Sequence, residues 1–255
     1  MAGAAEGGRL RLAILIGSLA GLVALGVKTG GGTQGASASR RAEARDHTPG
    51  RVVALAARRK LPASVRREFG GPHAPWVATI RASRSTYLMG GTRTGPKGTR
   101  VPVASVLRRT GHAAPIRVAK LPFAVTDAAG AAVGDRLYVL GGQLANGKPT
   151  DLVQEYDVAT ERSVVAGRLP ERVSDGSALT LDGFVYLVGG VVHGTPTRAI
   201  DRFDPWRGRA ALAGHLPVAA RGGVAIATRR QRGYLVGAKV PRAPGVNFEI
   251  RLRPR

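Results

Sequence analysis

A short motif recurs four times along the chain and constrains its fold more than any other feature. Each copy has a tyrosine, two apolar residues and then a glycine pair, with Gly-Ala replacing the pair in the last copy. The tyrosines are Tyr87, Tyr138, Tyr186 and Tyr234, which lie 51, 48 and 48 residues apart. Self-similarity at one period of this length predicts an array of similar structural units.

A Leu-Pro pair is a second marker with the same period. It occurs at 61–62, 121–122, 169–170 and 216–217, and its last two intervals are 48 and 47 residues. The composition agrees with many short strands, because 36 glycines and 16 prolines supply the turns between them. The two markers together predict four repeats of about 50 residues, a length typical of propeller blades.

One repeat, residues 121–170, contains the pattern of four short strands. Apolar stretches alternate with turn signals such as Gly134-Asp135 and a polar loop at 143–150. Turns rich in Gly, Pro, Asn and Asp are typical of tight connections between strands. The predicted strands are 128–133, 136–140, 152–158 and 163–166.

The repeats resemble the kelch family, whose blades carry a hydrophobic run, a glycine doublet and then an aromatic residue followed by Asp. The resemblance covers residues 51–255 and implies an all-β fold, a β-propeller with about four kelch-like four-stranded blades. The chain departs from the family at Gly237-Ala238, and at Ser163 and Ala210, where the family has Trp. The matching residues are the doublets Gly90-Gly91, Gly141-Gly142 and Gly189-Gly190 and the pairs Tyr156-Asp157 and Phe203-Asp204.

The two ends of the repeat region predict how the array closes. The last repeat has room for only one strand after Tyr234, at 247–252, and an orphan strand at 51–57 precedes the first Leu-Pro pair. We therefore expect the N-terminal strand to complete the C-terminal sheet, which removes two open edges. An incomplete ring that dimerises is the alternative.

The N-terminus has the pattern of an exported protein. Arg9 and Arg11 precede an uninterrupted apolar run, and a small-x-small sequence stands at 36–38. Residues 1–27 are therefore predicted to be a hydrophobic helix, either a signal peptide or a transmembrane anchor at 12–27, and 28–50 a flexible linker. The expected location is the cell membrane with an extracytoplasmic propeller, or secretion if the signal is cleaved.

The charge of the chain points to anionic partners. The formal net charge is +23, from 39 Lys and Arg against 16 Asp and Glu. Such a surface attracts acidic glycans, wall phosphates, lipid headgroups or nucleic acid. Solvation of scattered basic residues, with no partner, is the alternative reading.

The sequence carries no strong catalytic motif. There is no Gly-x-Ser-x-Gly, no phosphate-binding loop and no His-Glu-x-x-His, and the five histidines lack metal-ligand spacing. The absence of cysteine excludes disulfides, thiolate catalysis and Cys-based zinc sites. We therefore expect no catalytic residue, no metal and no cofactor.

Equivalent loop positions after each Leu-Pro pair form the candidate site. In a propeller such positions make a ring at one mouth of the central channel, where two arginine forks could bind carboxylate or phosphate. Alternatively, these side chains hydrogen-bond the loops and hold neighbouring blades in register. The ring comprises Arg66, Thr126, Ser174 and Arg221, followed by Arg67, Asp127 and Asp175.

These observations predict a non-catalytic, extracytoplasmic binding module. The expected partner is a protein or an acidic glycan or wall polymer at the cell surface, bound at the ring or on the longer loops after each doublet. Nucleic acid is not expected, because aromatic residues are not interleaved with the basic ones. The alternative is a glycan-active enzyme, epimerase- or lyase-like, with Asp127 and Asp175 as an acid–base pair at the channel mouth.

Overall fold

The computed structural model describes residues 51–55, 78–82, 84–228 and 232–253. These residues form an all-β structure with a single 3₁₀ turn at Pro96–Gly98, and none of its helices could span a membrane. The hydrophobic helix predicted at 1–27 and the linker at 28–50 lie outside the described residues. The strands are β1 (Arg51–Leu55), β2 (Ala78–Ala82), β3 (Ser85–Met89), β4 (Thr92–Thr94), β5 (Arg100–Thr110), β6 (Ile116–Val125), β7 (Ala129–Val133), β8 (Arg136–Leu140), β9 (Leu152–Asp157), β10 (Arg162–Arg168), β11 (Ser177–Leu181), β12 (Phe184–Val188), β13 (Val191–Val192), β14 (Thr195–Asp204), β15 (Arg209–Ala220), β16 (Val224–Thr228), β17 (Arg232–Val240) and β18 (Ala243–Arg253).

The strands pair in three sheets that repeat one antiparallel pattern. Strands β2, β3, β5 and β6 are hydrogen-bonded in that order and form unit 1; β16, β17, β18 and β1 form unit 4. The third sheet contains unit 2 (β7, β8, β9, β10) and unit 3 (β11, β12, β14, β15) and is barrel-like and nearly closed. Its two units are joined by one parallel pair, Arg168 opposite Arg209.

The strand predictions for one repeat are confirmed. The expected strands at 128–133, 136–140, 152–158 and 163–166 correspond to β7, β8, β9 and β10, each within two residues at every end. The predicted closure is also confirmed, since β1 pairs antiparallel with β18 from Arg51 opposite Arg253 to Leu55 opposite Glu249. The turn residues that bound each apolar stretch were the useful signal here, because β8 and β9 are buried on both faces.

Two of the Leu-Pro pairs lie within strands. Leu121-Pro122 lies within β6 and Leu216-Pro217 lies within β15. Both pairs fall where the register with the neighbouring strand shifts, in the β5–β6 and β14–β15 ladders. A proline that lacks an N–H is tolerated at such a bulge in the last strand of a unit, because no regular ladder bond is lost there.

The glycine doublets connect each unit to the segment that enters the next one. The N–H of Gly142 donates to the carbonyl oxygen of Val173 over 2.8 Å. A Cβ on Gly141, whose φ is +62°, would lie 2.3 Å from the same oxygen. The doublet is therefore required by close backbone approach as well as by its left-handed conformation.

Apolar clusters join successive units. One cluster packs Tyr87 of unit 1 against Tyr156 of unit 2, with ring centroids 6.0 Å apart. The next packs Tyr138 of unit 2 against Phe203 of unit 3, with centroids 5.6 Å apart. A third joins units 3 and 4, whereas the fourth, around Tyr234, contains only residues of unit 4 within the described ranges.

Candidate binding cavity

A cavity of about 720 Å³ lies along the first strands of the four units, β2, β7, β11 and β16. Its walls are built largely from alanine and glycine, as in Ala129, Gly130 and Ala131 of β7. Small residues at these repeated positions leave space where bulky ones would fill it. The size is within the range of small-molecule sites.

The end of the cavity where these strands begin carries two carboxylates, Asp127 and Asp175. Backbone hydrogen bonds hold them in equivalent positions, because the N–H of Asp175 donates to the carbonyl of Asp127 over 2.9 Å. The N–H of Gly222 in turn donates to the carbonyl of Asp175 over 2.6 Å. All three residues have φ between 50° and 60°, so one unusual turn is repeated at the start of units 2, 3 and 4.

The two carboxylates differ in their electrostatic surroundings. Burial raises the pKa of Asp127 above its usual value, the charge of Asp175 raises it further, and Arg100 partly opposes this. The carboxylate of Asp175 instead accepts a hydrogen bond from Arg221 Nη1 over 2.9 Å. Asp127 therefore holds a proton more readily than an ordinary aspartate, whereas Asp175 is ion-paired with Arg221.

The other predicted ring residues have structural surroundings. Thr126 and Ser174 are buried and are absent from the cavity lining, and each exchanges two backbone hydrogen bonds with the residue after a glycine doublet. Arg221 makes the same backbone exchange with Lys239, an exposed residue that does line the cavity. Arg66 and Arg67 lie outside the described residues.

The opposite end of the cavity carries a basic group that the sequence reasoning missed. Arg81 of β2, Thr86 of β3 and Arg109 of β5 all line the cavity. In the ladder, Arg81 stands opposite Thr86, and Thr86 stands opposite Arg109. A comparison of the repeats position by position could have found them, because unit 2 has Ala132, Leu137 and Tyr156 at the same places.

The described residues contain no group of three or more His, Asp or Glu side chains that could hold a metal ion. The charged groups of the cavity are instead separated along its length, carboxylates and Lys239 at one end and arginines at the other. Such an arrangement can orient a ligand that has charged or hydroxyl groups at both of its ends.

Comparisons with known proteins show a similarity of fold only. No protein-family model matches it, and no curated protein matches it significantly. A solved structure titled "Structure of YjhT" is similar, with a TM-score of 0.56 and 16% sequence identity. The similarity covers 69% of this chain and 66% of the YjhT chain.

Proposed function

We propose that residues 51–253 form a four-bladed, kelch-like β-propeller in which each unit is one blade. The four units share one strand order. Units 2 and 3, which form the third sheet, are joined by only one pair of residues. β1 completes the last unit, as expected for a ring closed by the chain terminus. The motif Tyr-x-x-Gly-Gly recurs at the equivalent strand of units 1, 2 and 3, and unit 4 has Tyr-x-x-Gly-Ala there.

The proposed function is binding without catalysis, displayed outside the cytoplasm. The observation that carries it is the cavity of about 720 Å³ along four equivalent strands, with charged side chains at both ends. The proposed partner is an acidic glycan or wall polymer, of which one charged residue enters the cavity. Export rests on the sequence of residues 1–27, with 12–27 as the apolar run.

The test is binding of a soluble fragment, residues 46–255, to a panel of anionic wall polymers and neutral glycans across a salt titration. Lys239→Gln removes the exposed cation at the carboxylate end, and Lys97→Gln removes an exposed cation of the 3₁₀ turn that does not line the cavity. Saturable binding that persists at moderate salt and weakens only in Lys239→Gln supports the proposal.

Binding that vanishes with salt and is equally weak in both lysine variants contradicts a cavity site. Attraction by net charge alone behaves in this way, because screening acts on every exposed cation. A protein partner on the loops after each doublet would then be sought.

A second candidate function is a glycan-active enzyme, which one observation favours. Asp127 and Asp175 line the same cavity, and the pKa of Asp127 is raised by burial and by Asp175. A carboxyl with a raised pKa beside a second carboxyl in one cavity is the pattern of an acid–base pair. Turnover of any glycan of the panel, followed by NMR and abolished in Asp127→Asn, would establish the enzyme; no turnover by the wild-type chain favours binding alone.

A further inference from the structure

The basic end of the cavity differs from the same place in the other three units. In unit 1, Arg109 pairs with Thr86. The residues at the same position in units 2, 3 and 4 are Tyr156, Phe203 and Ile250, which pair with Leu137, Val185 and Gly233 respectively. Those three apolar side chains are at most 1% exposed, whereas Arg109 is half-buried. In unit 1, the guanidinium group of Arg109 therefore stands where the other units have a core residue.

Arg81 on β2, which is separated from β5 by β3, also departs from its equivalents in the other units. Its equivalents are Ala132, Thr180 and Ala227, all small. Directly opposed residues of antiparallel strands project from the same face, with Cβ atoms about 5 Å apart. Arg81, Thr86 and Arg109 therefore form one row of two cations with a hydroxyl between them, facing the cavity.

Nothing among the described residues neutralises this row. Neither Arg81 nor Arg109 makes an ion pair with a described acidic residue. Thr79, which lines the cavity two residues before Arg81, has a buried Oγ1 without a hydrogen-bond partner in the described part of the chain. Two like charges on one partly buried face oppose folding, so their retention calls for a counter-charge.

We infer that Arg81, Thr86 and Arg109 form an oxyanion site that holds the phosphate or carboxylate group of the ligand in the cavity. Guanidinium forks bind both groups through paired N–H donors, and the threonine hydroxyl adds a donor between them. This site rests on the proposed binding function and deepens it, since it names the ligand group recognised and the end of the cavity that recognises it.

The experiment measures binding of inorganic phosphate and of acetate to the chain by NMR titration, with chloride at the same ionic strength as the reference. Arg109→Gln and Arg81→Gln each remove one guanidinium group of the site. Arg93→Gln is the control, because Arg93 is an exposed residue of β4, in the same sheet but outside the cavity. We expect saturable binding that each fork variant weakens at least tenfold and that Arg93→Gln leaves within twofold of wild type. The tighter of the two anions identifies the ligand class.

Folding of the variants is verified separately. Arg81 is exposed, so Arg81→Gln removes little packing. Arg109→Leu, which restores the apolar residue type of the other units, should raise the melting temperature in chloride while it abolishes anion binding. Equal affinity in wild type and in both fork variants, or no saturable binding of either anion, overturns the inference. Because no glycan is used, this result is independent of the glycan panel that tests the proposed function.

Discussion

At the scale of single residues, the glycine doublets show why a repeat of this kind tolerates little change. The first glycine brings its backbone against the carbonyl that precedes the next unit, at Val125, Val173 and Ala220 for Gly90, Gly141 and Gly189. The second glycine donates its N–H to the same carbonyl. A side chain at the first position would both strain a left-handed backbone and separate two hydrogen-bonded segments.

Gly141→Ala tests this requirement. Its Cβ would lie 2.3 Å from the Val173 oxygen, so the backbone must shift in addition to bearing the positive φ. We expect a loss of roughly 2–4 kcal/mol in the free energy of unfolding, measured by urea denaturation. Gly147→Ala is the control, because its φ is also positive but nothing lies within 4 Å, and it should cost about 1–2 kcal/mol. Equal losses would show that close approach contributes nothing.

Asp201 makes stability depend on pH. Burial and, less strongly, the charge of Glu171 raise the pKa of this carboxyl to about 6, with His215 opposing. A carboxyl that holds its proton more tightly when folded is favourable at low pH, and this contribution is lost as the pH rises from its usual pKa through 6.

Asp201→Asn should therefore be more stable than wild type at pH 7.5, and the difference should shrink as the pH falls from 6 towards 4. The physical reason is that the amide cannot ionise in its buried position, whereas the carboxyl does so above its pKa. The measurement is the Tm of both proteins at several pH values across this range. A difference that does not change with pH would refute the role of Asp201.

At the scale of elements, β1 determines whether the last sheet is complete. It covers the edge of β18 and places Val52, 5% exposed, in the cluster that joins units 3 and 4. The strand is separated from its sheet partners by most of the chain, so its pairing is a long-range event. An uncovered β18 would present unpaired N–H and C=O groups to other chains.

Val52→Asp should break this closure. A buried charge without a partner costs several kcal/mol, so we expect a loss of about 3 kcal/mol or more in the free energy of unfolding and faster aggregation. Chemical denaturation and light scattering measure the two effects. Val218→Asp, at a valine that is 38% exposed on β15, is the control and should change stability by less than about 0.5 kcal/mol. A tolerated Val52→Asp would mean that β1 contributes little.

At the scale of the whole molecule, the contacts between successive units are unequal. Three apolar clusters each contain residues of two neighbouring units, whereas the cluster of Ile226, Tyr234 and Val236 contains residues of unit 4 alone in the described ranges. The face of unit 1 that carries Thr79 and Arg81 also carries Leu88, and none of these three residues belongs to an apolar cluster of the described residues. Fewer apolar contacts between two units lower the free energy of local opening there.

Hydrogen exchange under native conditions should report this inequality. We expect the amides of β2 and β16 to exchange faster than those of β7 and β11, which lie between units joined by apolar clusters on both sides. Mass spectrometry of peptides from these strands measures it. Uniform protection of all four first strands would show that units 4 and 1 are held together as tightly as the others. Phosphate, if it binds at Arg81 and Arg109, should slow exchange in β2.

The local pattern of the chain determined the units themselves. Apolar stretches bounded by turn residues are properties of neighbouring residues, and from them the strands of residues 121–170 could be predicted. The pairing of β1 with the last sheet was predicted from the strand that the last repeat lacks. The position of Asp127 and Asp175 at one end of a common cavity also agrees with the expected repetition of equivalent loops. The strands follow from backbone sterics and burial within one repeat, whereas the pairing of β1 follows from a comparison of both ends of the array with a complete repeat.

Only the tertiary structure decided which residues face the cavity and which are buried. Thr126 and Ser174 match Arg221 in the repeat, yet two are buried and one is exposed and ion-paired. Arg81, Thr86 and Arg109 meet because β2, β3 and β5 pair in one register, although Thr86 and Arg109 are 23 residues apart in the sequence. No local pattern encodes that register, because it depends on the packing of each sheet against its neighbours.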